Sequence, residues 1–194
     1  MINRTLLSAA LGTALLGAGS VAQATEMNAE TQAFYTETVY PLITSAAVLD
    51  AVAAQNAQTH GYTADDIAAL DRQWAAEIGR ADAELINSVT GSALSAQLRE
   101  MIEGSNGIYT EIFLMDAQGL NVASSGVTSD YWQGDEAKFQ ESFGAGADAF
   151  HLSEVEFDES AQAYSVQVSF PINDPATGEP IGAITFGVDA TVLQ

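Results

Sequence analysis

The chain contains no cysteine. That excludes disulfide bonds, thiolate nucleophiles and zinc sites built on cysteine. Basic residues are nearly as scarce: five Lys and Arg stand against 26 Asp and Glu, a formal net charge of −21. A field of that sign repels nucleic acid and anionic membrane surfaces, favours solubility and draws cations or basic ligands close. The two histidines, His60 and His151, lie far apart in sequence. No G-x-S-x-G elbow, H-E-x-x-H motif or phosphate-binding loop occurs. Acidic pairs such as Asp130 with Asp135 are too common here to signal acid–base chemistry, and their spacing matches no calcium loop. Nothing calls for a cofactor, a metal or a catalytic residue, so the chain reads as a non-enzyme.

Apolar residues make up 47% of the 194, enough to bury the core of one domain with a helical extension. The opening stretch stands apart from that core. MINR carries one positive charge, TLLSAALGTALLGAGSV is apolar, and the small-x-small triplet Ala22-Gln23-Ala24 precedes polar residues. These are the parts of a secretory signal peptide over 1–24, cleaved after Ala24. The apolar run is short for a bilayer span. An exported mature protein is expected, periplasmic where the cell has two membranes.

Residues 25–106 read as helical. Leu42, Ala46, Leu49 and Ala53 are spaced as one stripe. Pro41 calls for a kink or break just before it. His60-Gly61 has the form of a helix end with a left-handed glycine, and Thr63 to Asp66 that of an N-cap with an acid three residues on. Ile67, Leu70, Trp74, Ile78, Ala81 and Leu85 form a second stripe, and Trp74 at helical spacing is a packing residue. Gly91-Ser92 breaks it, and Leu94, Leu98, Met101 and Ile102 form a third helix closed by Gly104.

The pattern changes over 107–194. IYTEIFLMD and LNVASS, joined by Ala117-Gln118-Gly119, read as a strand pair. HLSEVEFD and AYSVQVSFPI alternate around a turn at Glu159-Ser160. The turn Asp174 to Gly178 then leads into a last strand, IGAITFGVDATVL. The expectation is α+β, with N-terminal helices packed on a five-stranded antiparallel sheet. Alternation puts Tyr164, Val166, Val168, Phe170, Ile184, Phe186 and Val188 on the greasy face. Ser165, Gln167, Ser169, Ala183, Thr185, Gly187 and Asp189 take the other.

IFLMDAQGLNVASS, TSDYWQGDEAKF, SEVEFDES and VSFPINDPATGEPIGAITFGVD follow, in order, the pattern of a Cache (PDC) sensor domain, and residues 107–194 resemble one such extracellular PAS-like module. The carriers are a strand, a D-x-x-G turn, a strand, an aromatic-rich loop, and a hairpin ending in G-x-I-x-x-G-x-D. VYPLITSAAVLDAVAAQNAQ resembles the long N-terminal helix of these sensors, and the whole chain past the signal peptide is similar to stand-alone exported PDC proteins. The resemblance implies a small-molecule ligand held between the polar sheet face and a roofing loop, with the signal passed to a membrane-bound receptor or kinase, or through a homodimer along the long helix.

The roofing loop is TSDYWQGDEAKFQESFGAG, residues 128–146, too apolar for a free loop, with Trp132, Phe139 and Phe143 needing something to cover; its stretch SDYWQGDEAKF, residues 129–139, is expected to close over an enclosed hollow. Tyr131 and Trp132 would wall it. Lys138, the only lysine, would grip a carboxylate; Asp189 occupies the position where amino-acid-binding Cache domains keep an acid for the ligand's amine. Asp130, Asp135 and Gln167 would assist. Those amino-acid-binding members carry an arginine just before the aromatic pair, where this chain has Ser129-Asp130, so an amine or other cation suits the site as well. The plainer readings are that Lys138 pairs with Asp135 or Glu141 and that Asp189 caps its strand. A ligand-free structural or adaptor protein of the envelope is the alternative function.

Overall fold

A computed structural model describes residues 27–158 and 163–192. The signal-peptide reading and the Glu159-Ser160 turn lie outside the described residues. Helix α1 (Ala29–Phe34) is capped by Asn28, whose Oδ1 accepts from Thr31 N. It runs into a wide, π-helical turn at Tyr35–Val39 and then α2 (Tyr40–Ile43), with Pro41 in the first turn of α2. The chain thus loosens before the proline, which has no N–H to give, stays helical through it, and bends by 63° only before α3 (Ala46–Thr59).

Ser45 caps α3 and resets the helical phase there. The buried stripe of α3 is therefore Val48, Val52 and Thr59, while Ala46 and Ala53 of the expected stripe face water. His60 ends the helix in right-handed geometry, and Gly61 is not among the positive-φ glycines.

Thr63 opens α4 (Ala64–Glu77) with a reciprocal capping box: its N–H donates to Asp66 Oδ2 at 2.9 Å and Asp66 N donates back to Thr63 Oγ1. The second expected stripe breaks at Ile78, which leaves helical geometry and is exposed, and Gly79 turns the chain at φ +78°. Helix α5 (Glu84–Thr90) follows. Then comes α6 (Ala93–Gly104), capped by Ser92 and burying Leu94 and Leu98. No single helix among the described residues is long and apolar enough to cross a membrane.

The sheet is antiparallel, in the order β2-β1-β6-β5-β3, with β4 also on β5. Its strands are β1 (Tyr109–Asp116), β2 (Asn121–Ser124), β3 (His151–Leu152), β4 (Glu156–Asp158), β5 (Ala163–Asn173) and β6 (Pro180–Asp189). HLSEVEFD forms two short strands, β3 and β4, rather than one. A short helix α7 (Ala137–Gln140) and a 3-10 turn at Phe143–Ala145 lie between β2 and β3. The arrangement is the α+β, PAS-like one that the Cache resemblance implied.

Strand alternation sorts the faces as expected. Ile112, Leu114, Val166, Val168, Phe170, Ile184, Phe186 and Val188 share one core with Val39, Leu42, Ile43, Val48, Val52, Leu94 and Leu98 of the helices. Tyr164 alone of the greasy set is exposed, in edge-to-face contact with Phe157. Asp116 joins the layers. Fully buried, its Oδ1 accepts from Gln118 N and Leu120 N, both at 2.9 Å. Its Oδ2 accepts from Gln55 Nε2 at 3.1 Å and Thr59 Oγ1 at 2.8 Å, both on α3. Gly119, at φ +81°, completes this turn against the backbone of Gly134.

Candidate functional site

The polar sheet face divides into two halves. Rows running across the strands place Phe113 opposite Thr185 and Thr185 opposite Ser169, with Met115 opposite Ala183 beside them. Helix α7 and the 3-10 turn at Phe143–Ala145 roof this half. Phe139 and Phe143 stack with ring centroids 4.8 Å apart and pack on Phe113, Met115 and Ala183. Ser169 and Thr185 pair their hydroxyls at 2.8 Å, fully buried. The roof therefore rests on the sheet with its own aromatic side chains between. Burying two phenylalanines outweighs keeping an empty hollow there.

Lys138 belongs to this packed half. Its side chain is 11% exposed; Nζ lies 3.0 Å from Glu136 Oε2, donates to Gln133 Oε1 at 3.1 Å and sits 5.3 Å above the Phe113 ring. Its carboxylate partner is thus Glu136, not Asp135 or Glu141; Glu141 instead meets His151 Nδ1 at 2.8 Å.

Tyr131 and Trp132 turn the other way. They pack with Ile67, Trp74, Ile86 and Val89 in the cluster formed by α4 and α5. Tyr131 stacks on Trp74 at 5.5 Å, and Trp132 Nε1 donates to Gln118 O. Trp74 is completely buried, and its Nε1 donates to Thr128 O. Burial, then the negative charge of Asp116, pushes the Tyr131 hydroxyl well above its ordinary pKa. Asp71 of α4, a residue the sequence reading passed over, holds the start of the roof: its Oδ1 accepts from both Tyr131 N and Trp132 N, at 2.9 and 3.0 Å. Asp130 and Asp135 are exposed, and Asp130 acts through its backbone carbonyl, which accepts from Asn121, Thr128 and Gln133 side chains.

Gln167 and Asp189 stand on the other half of the face. Gln167 lies opposite Gly187 on β6 and donates to Glu111 Oε1 at 2.8 Å. Asp189 lies opposite Ser165, and its Oδ1 accepts from the side chain and then the N–H of Thr191; these bonds hold its carboxyl below the usual range. The seven expected site residues are thus spread over three places: Lys138 in the packed half, Gln167 and Asp189 on the open half, and the rest along the roof's anchorage.

The open half has a feature the sequence pattern concealed. The β1 ladder slips between Tyr109, opposite Val188, and Glu111, opposite Gly187, leaving Thr110 as an extra residue. A Cβ on Gly187 would collide with Thr110 Oγ1 and come within 2.7 Å of Glu111 Cγ, so the bulge requires glycine there. Thr110 Oγ1 is buried without a hydrogen-bond partner. Beside it a cleft of about 380 Å³ opens between β1, the 124–128 turn and α6, lined by Thr110, Glu111, Arg99 and Glu103. Arg99 comes from a helix far from every motif. The available signal was its rarity, one of five basic residues, on the polar flank of the Leu94–Leu98–Ile102 stripe.

A sheet with helices on one side and a roofing segment on the other is the layer order of a PAS-like Cache sensor module. Solved structures similar to the chain include sensor and ligand-binding domains of chemoreceptors and histidine kinases. They include the ligand-binding domain of the Campylobacter jejuni chemoreceptor Tlp3 with 4-methylisoleucine, at 14% identity over 87% of this chain, TM-score 0.41. The sensor domain of the V. cholerae histidine kinase DctB matches at 15% identity over 84%, TM-score 0.40. The ligand-binding domain of the Pseudomonas fluorescens chemoreceptor CtaA with L-serine matches at 12% over 66%, TM-score 0.40. The chain spans 66%, 56% and 49% of those domains, under two thirds of each. No family model and no curated protein matches the chain.

Proposed function

We propose that the chain is an exported sensor domain. It takes up a small molecule on the polar side of its sheet and passes the signal to a separate membrane-bound receptor or kinase. The observation that carries this reading is the treatment of that face. A second antiparallel face ordinarily meets water along its whole length. Here one half is roofed; on the other, Ser165 and Gln167 line a small pocket of about 100 Å³ with Ser153, Glu156 and Phe157, and a separate cleft of about 380 Å³ opens beside Thr110 and Glu111. Gln167 and Asp189 belong to the receiving half. Lys138 holds the roof shut, and Tyr131 and Trp132 fasten it to α4. Asp130 and Asp135 stand at its outer edge. The apolar run ahead of Ala22-Gln23-Ala24 supports export.

A thermal-shift screen of amino acids, amines and carboxylates against the protein beginning at Thr25 tests the proposal. One chemical class raises the melting temperature, because a ligand of the native state stabilises it, and Gln167→Leu removes the rise while the fold persists. A flat response across all classes refutes it. The aromatic filling of the roofed half favours a second reading, a ligand-free adaptor; that protein gives the flat response and captures an envelope partner.

A further inference from the structure

We propose that the sheet corner formed by β3, β4 and the start of β5 is a docking surface for an extended, basic segment of another protein. β4 is a terminal strand: it lies on β5, and no further strand lies outside it among the described residues. Strands this short normally end a sheet without inviting a partner. This one is set apart by its apolar load. Leu152, Val155, Phe157 and Tyr164 are 47–59% exposed, four of the nine large hydrophobic side chains exposed among the described residues. Single exposed hydrophobics are ordinary; a row of them along one edge marks a contact surface. Leu152 lies opposite Val168 and Phe157 opposite Tyr164, so these three point to the helix side. The core that takes in Val166 and Val168 of the same strand stops short of them. Phe157 and Tyr164 pack edge to face at 5.3 Å, a rigid aromatic pair of the kind that anchors interfaces.

Charge selects the occupant. Glu154 and Glu156 are exposed and alternate with Val155 and Phe157 along the edge. Beyond Lys138 the chain has no Lys or Arg, and its nine charged side chains are all Asp or Glu. Two copies meeting here would set the same acids against each other, and anionic lipid or nucleic acid is repelled in the same way. A strand alternating Lys or Arg with apolar residues answers both series. Its cations reach Glu154 and Glu156 or lie over the Tyr164 ring, and its apolar side chains cover Val155 and Phe157. The pairing slips by one residue between Leu152, opposite Val168, and Glu156, opposite Ser165. Few backbone bonds are therefore on offer, and side chains carry the affinity. The surface does not depend on what the polar face takes up; a sensor and a ligand-free adaptor use it alike. In a sensor it is tied to the receiving half, because Ser153 N donates to Gln167 O and Gln167 N donates to Ser153 Oγ, both at 2.9 Å.

The test replaces Tyr164 with p-benzoylphenylalanine in the cells the protein comes from, cross-links with light and identifies the captured peptide by mass spectrometry. The expected product is a segment of another protein in which Lys or Arg alternates with apolar residues. A synthetic peptide of that segment binds the unmodified chain beginning at Thr25. Phe157→Ser and Tyr164→Ser each weaken it by about tenfold or more, as does Glu154→Gln combined with Glu156→Gln. Asp50→Asn, elsewhere on the acidic surface, leaves it unchanged, which separates docking from a general attraction of cations. Circular dichroism of each variant confirms folding.

Capture of a second copy, of lipid or of an acidic segment overturns the proposal, and so does the absence of any cross-link. Peptide binding that ignores Phe157→Ser and Tyr164→Ser, or that falls equally with Asp50→Asn, also overturns it. None of these results bears on the thermal-shift screen, so the sensor reading stands or falls separately.

Discussion

Replacing Asp116 with alanine removes the carboxylate that ties α3 to the β1–β2 turn. Four donors point at it, all within 3.1 Å. Two can find other work. Gln55 Nε2 also reaches the carbonyls of Leu120 and Asn121, and Thr59 Oγ1 also donates to Gln55 O. The N–H groups of Gln118 and Leu120 have no such alternative, and Leu120 is fully buried. The orphaned, buried N–H of Leu120 costs about 1–3 kcal/mol and the lost bond of half-buried Gln118 about 1 kcal/mol, together about 3 kcal/mol. For a domain this long that lowers the melting temperature by roughly 6–12 °C. Asp116→Asn keeps one carbonyl oxygen for the two N–H groups and turns its amide toward Thr59 Oγ1, which can accept. The expected loss is therefore smaller, about 2 kcal/mol. Urea titrations at constant m measure both values. If the alanine variant loses under about 1 kcal/mol, or the asparagine variant loses as much as alanine, the four-donor account is wrong.

Gly119→Ala places a Cβ 2.5 Å from Gly134 Cα at φ +81° and lowers stability by more than about 1 kcal/mol in the same titration. Phe139→Ala opens the roofed half, costs about 3 kcal/mol, and exposes Lys138. Because that residue is the only lysine, an amine-reactive reagent followed by peptide mass analysis reads the opening as faster side-chain labelling; unchanged labelling contradicts the packing described. Burial draws the Glu77 carboxyl upward, but hydrogen bonds from Gln73, Ile86 and Leu85 and the charge of Arg80 outweigh it and hold the group below the usual range. A folded pKa under the unfolded one means stability present above the unfolded value of about 4.3 and lost as pH falls through the folded one. Glu77→Gln should therefore flatten the fall in melting temperature between about pH 5 and 3; an unaltered slope argues against it.

The sheet was legible because period-2 alternation in β5 and β6 fixes which side chains meet the helices, and local turn chemistry marked the ends. Thr63 with Asp66 gave the start of α4 for the same reason: a capping box is written within four residues. The stripes through Leu42 and Ile78 misled because a periodicity count carries phase across a break that Ser45 and Gly79 impose. The aromatics of the roof were legible as residues needing cover, but periodicity says nothing of direction inside a loop. Tyr131 and Trp132 went to α4 because Asp71 holds their backbone there, while Phe139 and Phe143 took the sheet. Arg99 and Thr110 escaped notice because each becomes chemistry only once α6 and β1 lie side by side.

The slip at Thr110 makes that residue supernumerary. Val188 faces Tyr109 and Gly187 faces Glu111, so excising position 110 would leave an unbroken ladder, with Tyr109 still on the helix side and Glu111 still on the other. One codon there can come or go without rephasing the sheet, and Gly187 would then be released from the collision with Thr110 Oγ1, with Glu111 Cγ still close to it. The fold carries at this point a place where its chemistry can be rewritten and its scaffold left alone.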